Sequence, residues 1–206
     1  MGRATADRFA REGYRVVLAA RNTARLSAQA QELQNEGHSV EIKQVDASDP
    51  KQVASLVRSI GPALAVMHYN AAVLHYDAVG NLQTRTLEQE TVEGLTTEMN
   101  INVTSALAAM QAAEEVMTAR GEGSILITGG GFEIEPTGDF LNISVAKAAL
   151  RAATKALFEP MRDKGIHIAT VTVSTLVAVR IGSVRRVRRC VAPRGRSGCC
   201  SRRAPR

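Results

Sequence analysis

The sequence lacks the features that mark several specialised classes of protein. None of its apolar runs approaches the roughly 18–20 residues that a membrane-spanning helix needs. Arg3, Asp7 and Arg8 lie where a secretory signal peptide would have an apolar core. The chain has 206 residues, 45% of them hydrophobic and 22% charged, which is typical of a globular protein. We therefore expect a globular protein that neither spans a membrane nor carries a signal peptide.

Cysteine is absent from residues 1–179, and acidic residues are absent from residues 180–206. The first segment has 16 Lys and Arg against 20 Asp and Glu, a net charge of −4, and the second has 10 Arg, a net charge of +10. These charges predict a mildly acidic domain over 1–179 and a basic, arginine-rich tail over 180–206. The cysteine-free domain fits a reduced, cytoplasmic location.

The tail has no aromatic residue and no regular hydrophobic pattern. An arginine-rich block can bind nucleic acid or an anionic surface electrostatically. However, it has no aromatic ring to stack on bases, and Cys190, Cys199 and Cys200 lack the spacing of a zinc site. These absences weigh against a nucleic-acid partner. The composition instead indicates a frameshifted or non-native end, disordered in solution.

Segments with strand and helix patterns alternate along the rest of the chain. Strands are predicted over 14–20, 38–45, 64–69, 124–128 and 166–173, and helices over 3–12, 22–37, 49–60, 91–118 and 142–163. This alternation predicts a parallel sheet covered by helices on both faces. In the two long helices, apolar spacing predicts buried faces that contain Met99, Val103, Leu107 and Met110, and Val145, Ala149, Ala153 and Leu157.

Over about residues 2–175 these elements resemble the short-chain dehydrogenase/reductase family. Gly2 resembles the last glycine of the family's glycine-rich turn, and Asn70-Ala71-Ala72 resembles its Asn-Ala-Gly motif. The resemblance implies an α/β fold, a Rossmann-like doubly wound parallel sheet, with the first strand missing and the last strand lost or altered. Without its central first strand, two neighbouring strands lose a partner. We expect a sequence start inside a longer gene product, or else a divergent protein that never had this strand.

The resemblance also implies a nicotinamide dinucleotide cofactor. Arg21 follows the strand at which an acid would bind the ribose 2′-hydroxyl, whereas a guanidinium pairs with a 2′-phosphate. This favours NADP(H) over NAD(H), with a solvated arginine as the alternative. Asp46 resembles the acid that contacts the adenine, unless it is an ordinary turn aspartate. The implied cofactor-binding residues are Gly2, Arg21, Asp46, Asn70, Ala71 and Lys147.

The family's catalytic residues are only half present. Asn102 resembles the helical asparagine that organises a proton-relay water, and Lys147 resembles the lysine of the Tyr-x-x-x-Lys motif. The tyrosine position is Ile143, and the serine falls within Gly129–Gly131. Isoleucine cannot transfer a proton, so the usual acid–base step is not available at this position.

Other polar residues are candidate substitutes for the missing groups. The loop acids Glu133, Glu135 and Asp139 could donate a proton if their pKa values were raised, although solvated acids are the plainer interpretation. Tyr76 is better explained by surface packing. Ser144-x-x-Lys147 matches penicillin-recognising enzymes, but their other two motifs are missing. The four histidines have no metal-ligand spacing, so no metal site is predicted.

Three functions remain. The first is an NADP(H)-dependent oxidoreductase acting on a small carbonyl or alcohol substrate. The second is a catalytically inactive protein of the same fold that binds a nucleotide or a partner, which the replaced tyrosine and serine favour as chemistry. The third is nucleic-acid binding through the tail, which the acidic domain disfavours. By analogy with the family, the two long helices could also pair the subunits of a homo-oligomer.

Overall fold

The structure, a computed structural model, describes residues 1–174. The strands are β1 Val16–Ala20, β2 Val40–Gln44, β3 Val66–Tyr69, β4 Gly123–Thr128 and β5 Ile166–Val171. The α-helices are α1 Gly2–Arg11, α2 Ala24–Asn35, α3 Pro50–Ile60, α4 Val92–Met99, α5 Ser105–Arg120 and α6 Leu141–Arg162. The predicted alternation of strands and helices is therefore confirmed. The predicted tail, 180–206, lies outside the described residues.

Local chemistry sets the ends of the helices. The carboxylate of Asp49 accepts hydrogen bonds from the backbone N–H groups of Lys51 and Gln52 at the start of α3, and Pro50 occupies the first turn. Gly121 ends α5 with φ of 78°, a left-handed conformation that glycine adopts without strain. Aspartate and proline are favoured at the start of a helix, and glycine is favoured just beyond its end.

The strands form two parallel sheets. One contains β1 and β2, and the other has the order β3-β4-β5. Among the described residues, β1 and β3 each pair with a single neighbour, as expected for a sheet without its central first strand. Because each sheet is parallel, the carboxyl ends of its strands lie along one edge, where α/β proteins bind their ligands.

Two hydrophobic cores correspond to the two sheets. The larger core packs α5 and α6 against the three-stranded sheet, and its fully buried side chains include Met110, Met117, Ile125, Ile127, Leu150 and Ile168. The smaller core holds Ala10, Ala30, Leu33 and Val40 between β1, β2 and the first two helices. No helix within residues 1–174 is long and apolar enough to cross a membrane.

The predicted buried faces of the two long helices are only partly correct. Met110 is 1% exposed and Leu157 packs against the larger core, whereas Leu107 is 40% exposed and Val145 is 48% exposed. The fully buried positions of α5 also include Ala106, Ala109, Ala113 and Met117, and the buried positions of α6 include Ile143, Ala146, Lys147 and Leu150. Alanines on several sides of α5 make apolar spacing ambiguous. In addition, a π-helical turn at Asn100–Thr104 changes the phase between α4 and α5, so a single 3.6-residue period does not apply.

Candidate functional site

The predicted cofactor-binding residues lie at the carboxyl ends of the strands. Arg21 follows β1, and its side chain is exposed. Asp46 lies just beyond β2, where its Oδ1 atom accepts hydrogen bonds from the backbone N–H of Ser48 at 2.9 Å and from the Ser48 hydroxyl at 2.8 Å. These bonds hold the pKa of Asp46 below its ordinary value. A fixed, ionised carboxylate and an exposed guanidinium therefore follow the two paired strands of the smaller sheet.

At the end of β3, Asn70 lies next to Gly2 and Thr128. A Cβ atom built on Gly2 would lie 3.2 Å from Asn70 Nδ2, so a glycine here allows a close approach of α1 to the asparagine. The Thr128 hydroxyl donates to Asn70 Oδ1 at 2.7 Å. The adjacent Ala71 is half-buried and packs against the larger core. Gly2, Asn70 and Ala71 are thus brought together at one strand end.

His68 has a defined tautomer because of the same threonine. Its Nε2 atom lies 3.0 Å from Thr128 Oγ1, whose only proton is given to Asn70. The hydroxyl oxygen must therefore accept, and His68 Nε2 must carry the proton. Burial lowers the pKa of His68, which favours this neutral imidazole.

Lys147 is buried at the end of β4. It is 6% exposed, and its Nζ atom donates a 2.6 Å hydrogen bond to the backbone carbonyl of Thr128. Burial lowers the pKa of Lys147, and the negative charge of Glu133 partly opposes this shift. The lysine is therefore held in one position by the strand end.

Asn102 lies in the π-helical turn and is buried rather than exposed, at 1%. Its Oδ1 atom accepts from the backbone N–H of Val73 at 2.8 Å, while its Nδ2 atom has no hydrogen-bond partner among the described residues. The Tyr69 hydroxyl donates to the carbonyl of Ile101 at 2.6 Å, and Ser105 Oγ donates to that of Ala47 at 2.7 Å. Hydrogen bonds with β3, with the loop after β3 and with the loop after β2 thus hold the π-helical turn and the start of α5. Turns of this type are frequent at functional sites.

The positions of the family's tyrosine and serine are apolar. Ile143 is 7% exposed and lines a small cavity with Val73, Leu74, Leu82 and Phe140. In the glycine turn, a Cβ on Gly130 would lie 3.6 Å from Lys147 Cγ, an ordinary contact. A Cβ on Gly129 would overlap the Glu133 carboxylate and the Thr170 methyl group. Of these two glycines, only Gly130 has room for a serine side chain facing Lys147.

The interpretation of Glu133 as a solvated loop acid is wrong. Its side chain is 1% exposed and lies 3.9 Å from Arg151. It accepts hydrogen bonds from the Thr172 hydroxyl and from the backbone N–H of Gly130 at 3.3 Å. This buried carboxylate therefore stabilises the glycine turn through its hydrogen bond from Gly130. The other loop acids, Glu135 and Asp139, are exposed as expected.

The other two candidate substitutes, Tyr76 and Ser144, have surface and structural roles. Tyr76 is 58% exposed. The Ser144 hydroxyl is bonded to the backbone carbonyl of Thr137 at 3.3 Å and lies 3.2 Å from its N–H. The Ser144 hydroxyl is therefore engaged in hydrogen bonds with the loop before α6.

Sequence reasoning missed a polar cluster beside Ile143. His75 Nε2 lies 2.8 Å from Glu98 Oε1, and Asn142 Nδ2 donates to Glu98 Oε2 at 2.9 Å. Arg85 and Glu90 form an ion pair in the same place, with Arg85 Nε 3.1 Å from Glu90 Oε1. These residues come from one loop and two helices, so no local spacing could have predicted the cluster.

The arrangement fits a nicotinamide dinucleotide. The chemistry of the donor set matches, because a guanidinium follows β1, a carboxylate follows β2, and an ammonium from α6 lies at the end of β4. The orphaned Nδ2 donor of Asn102 adds a buried polar atom to this set. Fold and site together define a parallel α/β protein of the dinucleotide-binding class.

Comparison with known proteins identifies the family. The family model for short chain dehydrogenase matches residues 1–183. The chain therefore belongs to the short chain dehydrogenase family. It is also similar in structure to a short-chain dehydrogenase from Sphingobium yanoikuyae in complex with NADPH, with a TM-score of 0.75, 26% sequence identity, and coverage of 84% of this chain and 66% of that one.

Two relatives are named for different substrates. A 2,5-dichloro-2,5-cyclohexadiene-1,4-diol dehydrogenase from Sphingobium indicum is 25% identical over 175 residues, which are 83% of this chain and 66% of the relative. A very-long-chain 3-oxoacyl-CoA reductase from Neurospora crassa is 25% identical over 193 residues, 90% of this chain and 55% of the relative. The chain thus spans between about half and two thirds of the length of these relatives.

Proposed function

We propose that this protein binds NADP(H) and is an oxidoreductase that acts on a small carbonyl or alcohol substrate. The proposal rests on the position of Lys147. This lysine is buried, and its ammonium group is fixed by a hydrogen bond to the carbonyl of Thr128 at the end of β4. An ammonium held there suits the hydroxyl groups of a nicotinamide ribose. The NADPH complex of the similar Sphingobium yanoikuyae enzyme supports the same cofactor.

The other predicted residues have matching roles. Arg21 would pair with the 2′-phosphate and Asp46 would contact the adenine. Gly2, Asn70 and Ala71 would border the cofactor where α1 approaches β3. Asn102 would position a group at the site through its unpartnered Nδ2 atom. When bound, the dinucleotide supplies hydride chemistry, and the chain's residues bind it and orient the substrate.

A second candidate function is binding without turnover. It is favoured by Ile143 and Gly130, because neither side chain can exchange a proton with a substrate oxygen. Such a protein would keep the nucleotide site and use it to bind a nucleotide or a partner. The two candidates differ in one measurable property, the consumption of NADPH.

The experiment has two stages. Calorimetric titration with NADPH and with NADH tests the cofactor, and we expect tighter binding of NADPH. Arg21→Ala should weaken NADPH binding about 10- to 100-fold, since a charged hydrogen bond contributes roughly 1.5–3 kcal/mol. Arg25→Ala, an exposed arginine on α2, is the matched control and should leave the affinity unchanged. Failure to bind either nucleotide would contradict the oxidoreductase and would leave only the partner-binding form of the second candidate.

The second stage follows NADPH absorbance with a panel of aldehydes and ketones. Turnover that is lost in Lys147→Ala but kept in Lys155→Ala, an exposed lysine on the same helix, supports the oxidoreductase. NADPH binding without turnover supports the second candidate. Turnover that survives Lys147→Ala contradicts the proposed site.

We further infer a cytoplasmic location from the cysteine-free residues 1–179. We also infer a homo-oligomer formed through α5 and α6, because Leu107, Val145 and Phe158 are exposed apolar residues on these helices. Light scattering on the purified chain tests the oligomer, and a monomer mass would overturn it.

A further inference from the structure

The polar cluster beside Ile143 has the composition of a cation site. One ligand atom from each of His75, Glu90 and Glu98 lies within 4.8 Å of the other two. For comparison, ligand atoms about 2.0–2.1 Å from a tetrahedral Zn²⁺ are roughly 3.3 Å apart. Side-chain adjustments of about an ångström would bring the three groups to a common centre. Histidine nitrogen and carboxylate oxygen are ligand types that Zn²⁺ binds in proteins.

Glu90 gives an independent reason to expect a ligand. Its side chain is 1% exposed, and neither carboxylate oxygen has a hydrogen-bond partner among the described residues. Arg85 balances its charge, but Arg85 Nε is also without a hydrogen bond, because the ion pair lacks the required geometry. Burying a carboxylate without hydrogen bonds is costly. The cluster therefore has lone pairs that the protein itself leaves unused.

The charges also favour a cation. Two carboxylates and one guanidinium give a formal charge of −1 when the imidazole is neutral. Asn142 Nδ2 donates to Glu98 Oε2 at 2.9 Å and so orients one carboxylate from behind, as outer-shell residues do at metal sites. We propose that His75, Glu90 and Glu98 bind a divalent transition-metal ion, with Asn142 positioning Glu98.

Arg85 competes with that ion. Its Nη1 atom lies 3.3 Å from His75 Nδ1, and a guanidinium can only donate, so Nδ1 is unprotonated and Nε2–H faces Glu98. A metal ion on Nε2 would require a proton on Nδ1, which Arg85 blocks. The arginine side chain is 36% exposed and can turn towards solvent. Removing its charge should therefore strengthen metal binding, whereas removing a ligand should weaken it.

The test is calorimetric titration of the full chain with Zn²⁺ and with Mg²⁺. Cys190, Cys199 and Cys200 are replaced by serine in every sample, because thiolates bind zinc. We expect one equivalent of Zn²⁺ and much weaker Mg²⁺ binding. His75→Ala and Glu98→Gln should abolish the tight site, Asn142→Ala should weaken it about tenfold, and Arg85→Gln should tighten it.

The controls make each outcome decisive. His38 Nε2 lies 3.7 Å from Glu36 Oε2, and within residues 1–174 this pair has no third ligand, so His38→Ala should leave binding unchanged. Circular dichroism confirms that each variant folds. Absence of Zn²⁺ binding in the parent protein, binding unaffected by His75→Ala and Glu98→Gln, or weaker binding in folded Arg85→Gln would overturn the proposal. Because the readout is metal affinity, it does not depend on NADPH turnover.

Discussion

Gly130 faces the side chain of Lys147 across a gap that a Cβ atom would fill without a clash. A Cβ atom on Gly130 would lie 3.6 Å from Lys147 Cγ, and the φ of Gly130 is −161°, an extended conformation open to any residue. The neighbouring Gly129 has no such space, because Glu133 and Thr170 lie against it. We therefore expect Gly130 to tolerate substitution by a small side chain and Gly129 not to.

Gly130→Ser should change the free energy of unfolding by less than about 0.5 kcal/mol, as expected for a substitution without a clash. Gly129→Ser should cost about 1–3 kcal/mol, because its side chain must displace the buried Glu133 carboxylate or Thr170. Urea unfolding of both variants measures the difference. Equal losses of stability in the two variants would contradict the assigned geometry of the turn.

Ile143→Tyr combined with Gly130→Ser would place a tyrosine at the position of the family's tyrosine and a serine within the glycine turn, where the resemblance implies one. If the proposed oxidoreductase site is correct, NADPH consumption should rise by about 10²–10⁴-fold, the usual contribution of a positioned acid–base group. Ile143→Phe with Gly130→Ser is the matched control, since it has the ring without the hydroxyl. An equal rate in both double variants would show that the tyrosine hydroxyl does not reach the reacting atoms.

The buried Lys147 should make stability depend on pH. Its pKa is lowered in the folded protein, while the unfolded chain keeps the ordinary value of 10.5. Between these two values the unfolded state binds more protons, so stability rises with pH. Relative to Lys147→Met, the wild-type free energy of unfolding should increase as pH approaches 10.5 and stay level at acidic pH, where lysine is protonated in both states. A relative decrease at alkaline pH would contradict this sign.

The π-helical turn should depend on the hydrogen bonds that hold it. Tyr69→Phe removes the donor to the carbonyl of Ile101 and should cost about 0.5–1.5 kcal/mol. Asn102→Ala leaves the backbone N–H of Val73 without its acceptor and should cost about 1–3 kcal/mol. Tyr14→Phe, in a tyrosine that is 43% exposed, is the control for the loss of a hydroxyl. Chemical denaturation that ranked Tyr14→Phe as the most damaging would refute this account.

Sequence patterns predicted the element order because strand and helix signals are local. The predicted helix over 49–60 corresponds to α3, Pro50–Ile60, whose capping residue Asp49 is adjacent in sequence. The exposed Leu107 and Val145 could not be predicted in the same way, because burial depends on the phase that the π-helical turn sets and on which alanine face packs closely. Periodicity alone does not contain that information.

The site was predictable only where the family resemblance supplied the residues. Lys147 and Asn102 are buried at the strand ends, next to Thr128 and Val73 respectively. The burial of Glu133 and the contact of His75 with Glu98 depend on residues 39 and 23 positions apart in sequence, which a one-dimensional pattern does not bring together. Their exact roles as NADP(H)-binding or metal-binding groups stay predictions.

The separation of the strands into two sheets has a consequence for amide hydrogen exchange. Among the described residues, no backbone ladder links β1 and β2 to the three-stranded sheet. Within residues 1–174 the smaller core contains four buried side chains, Ala10, Ala30, Leu33 and Val40, and β1 is only partly buried. Cooperative units with few buried contacts open at lower free energy than the rest of a fold. The amides of β1 and β2 should therefore exchange with deuterium sooner than those of β4, through an opening that leaves the larger core folded.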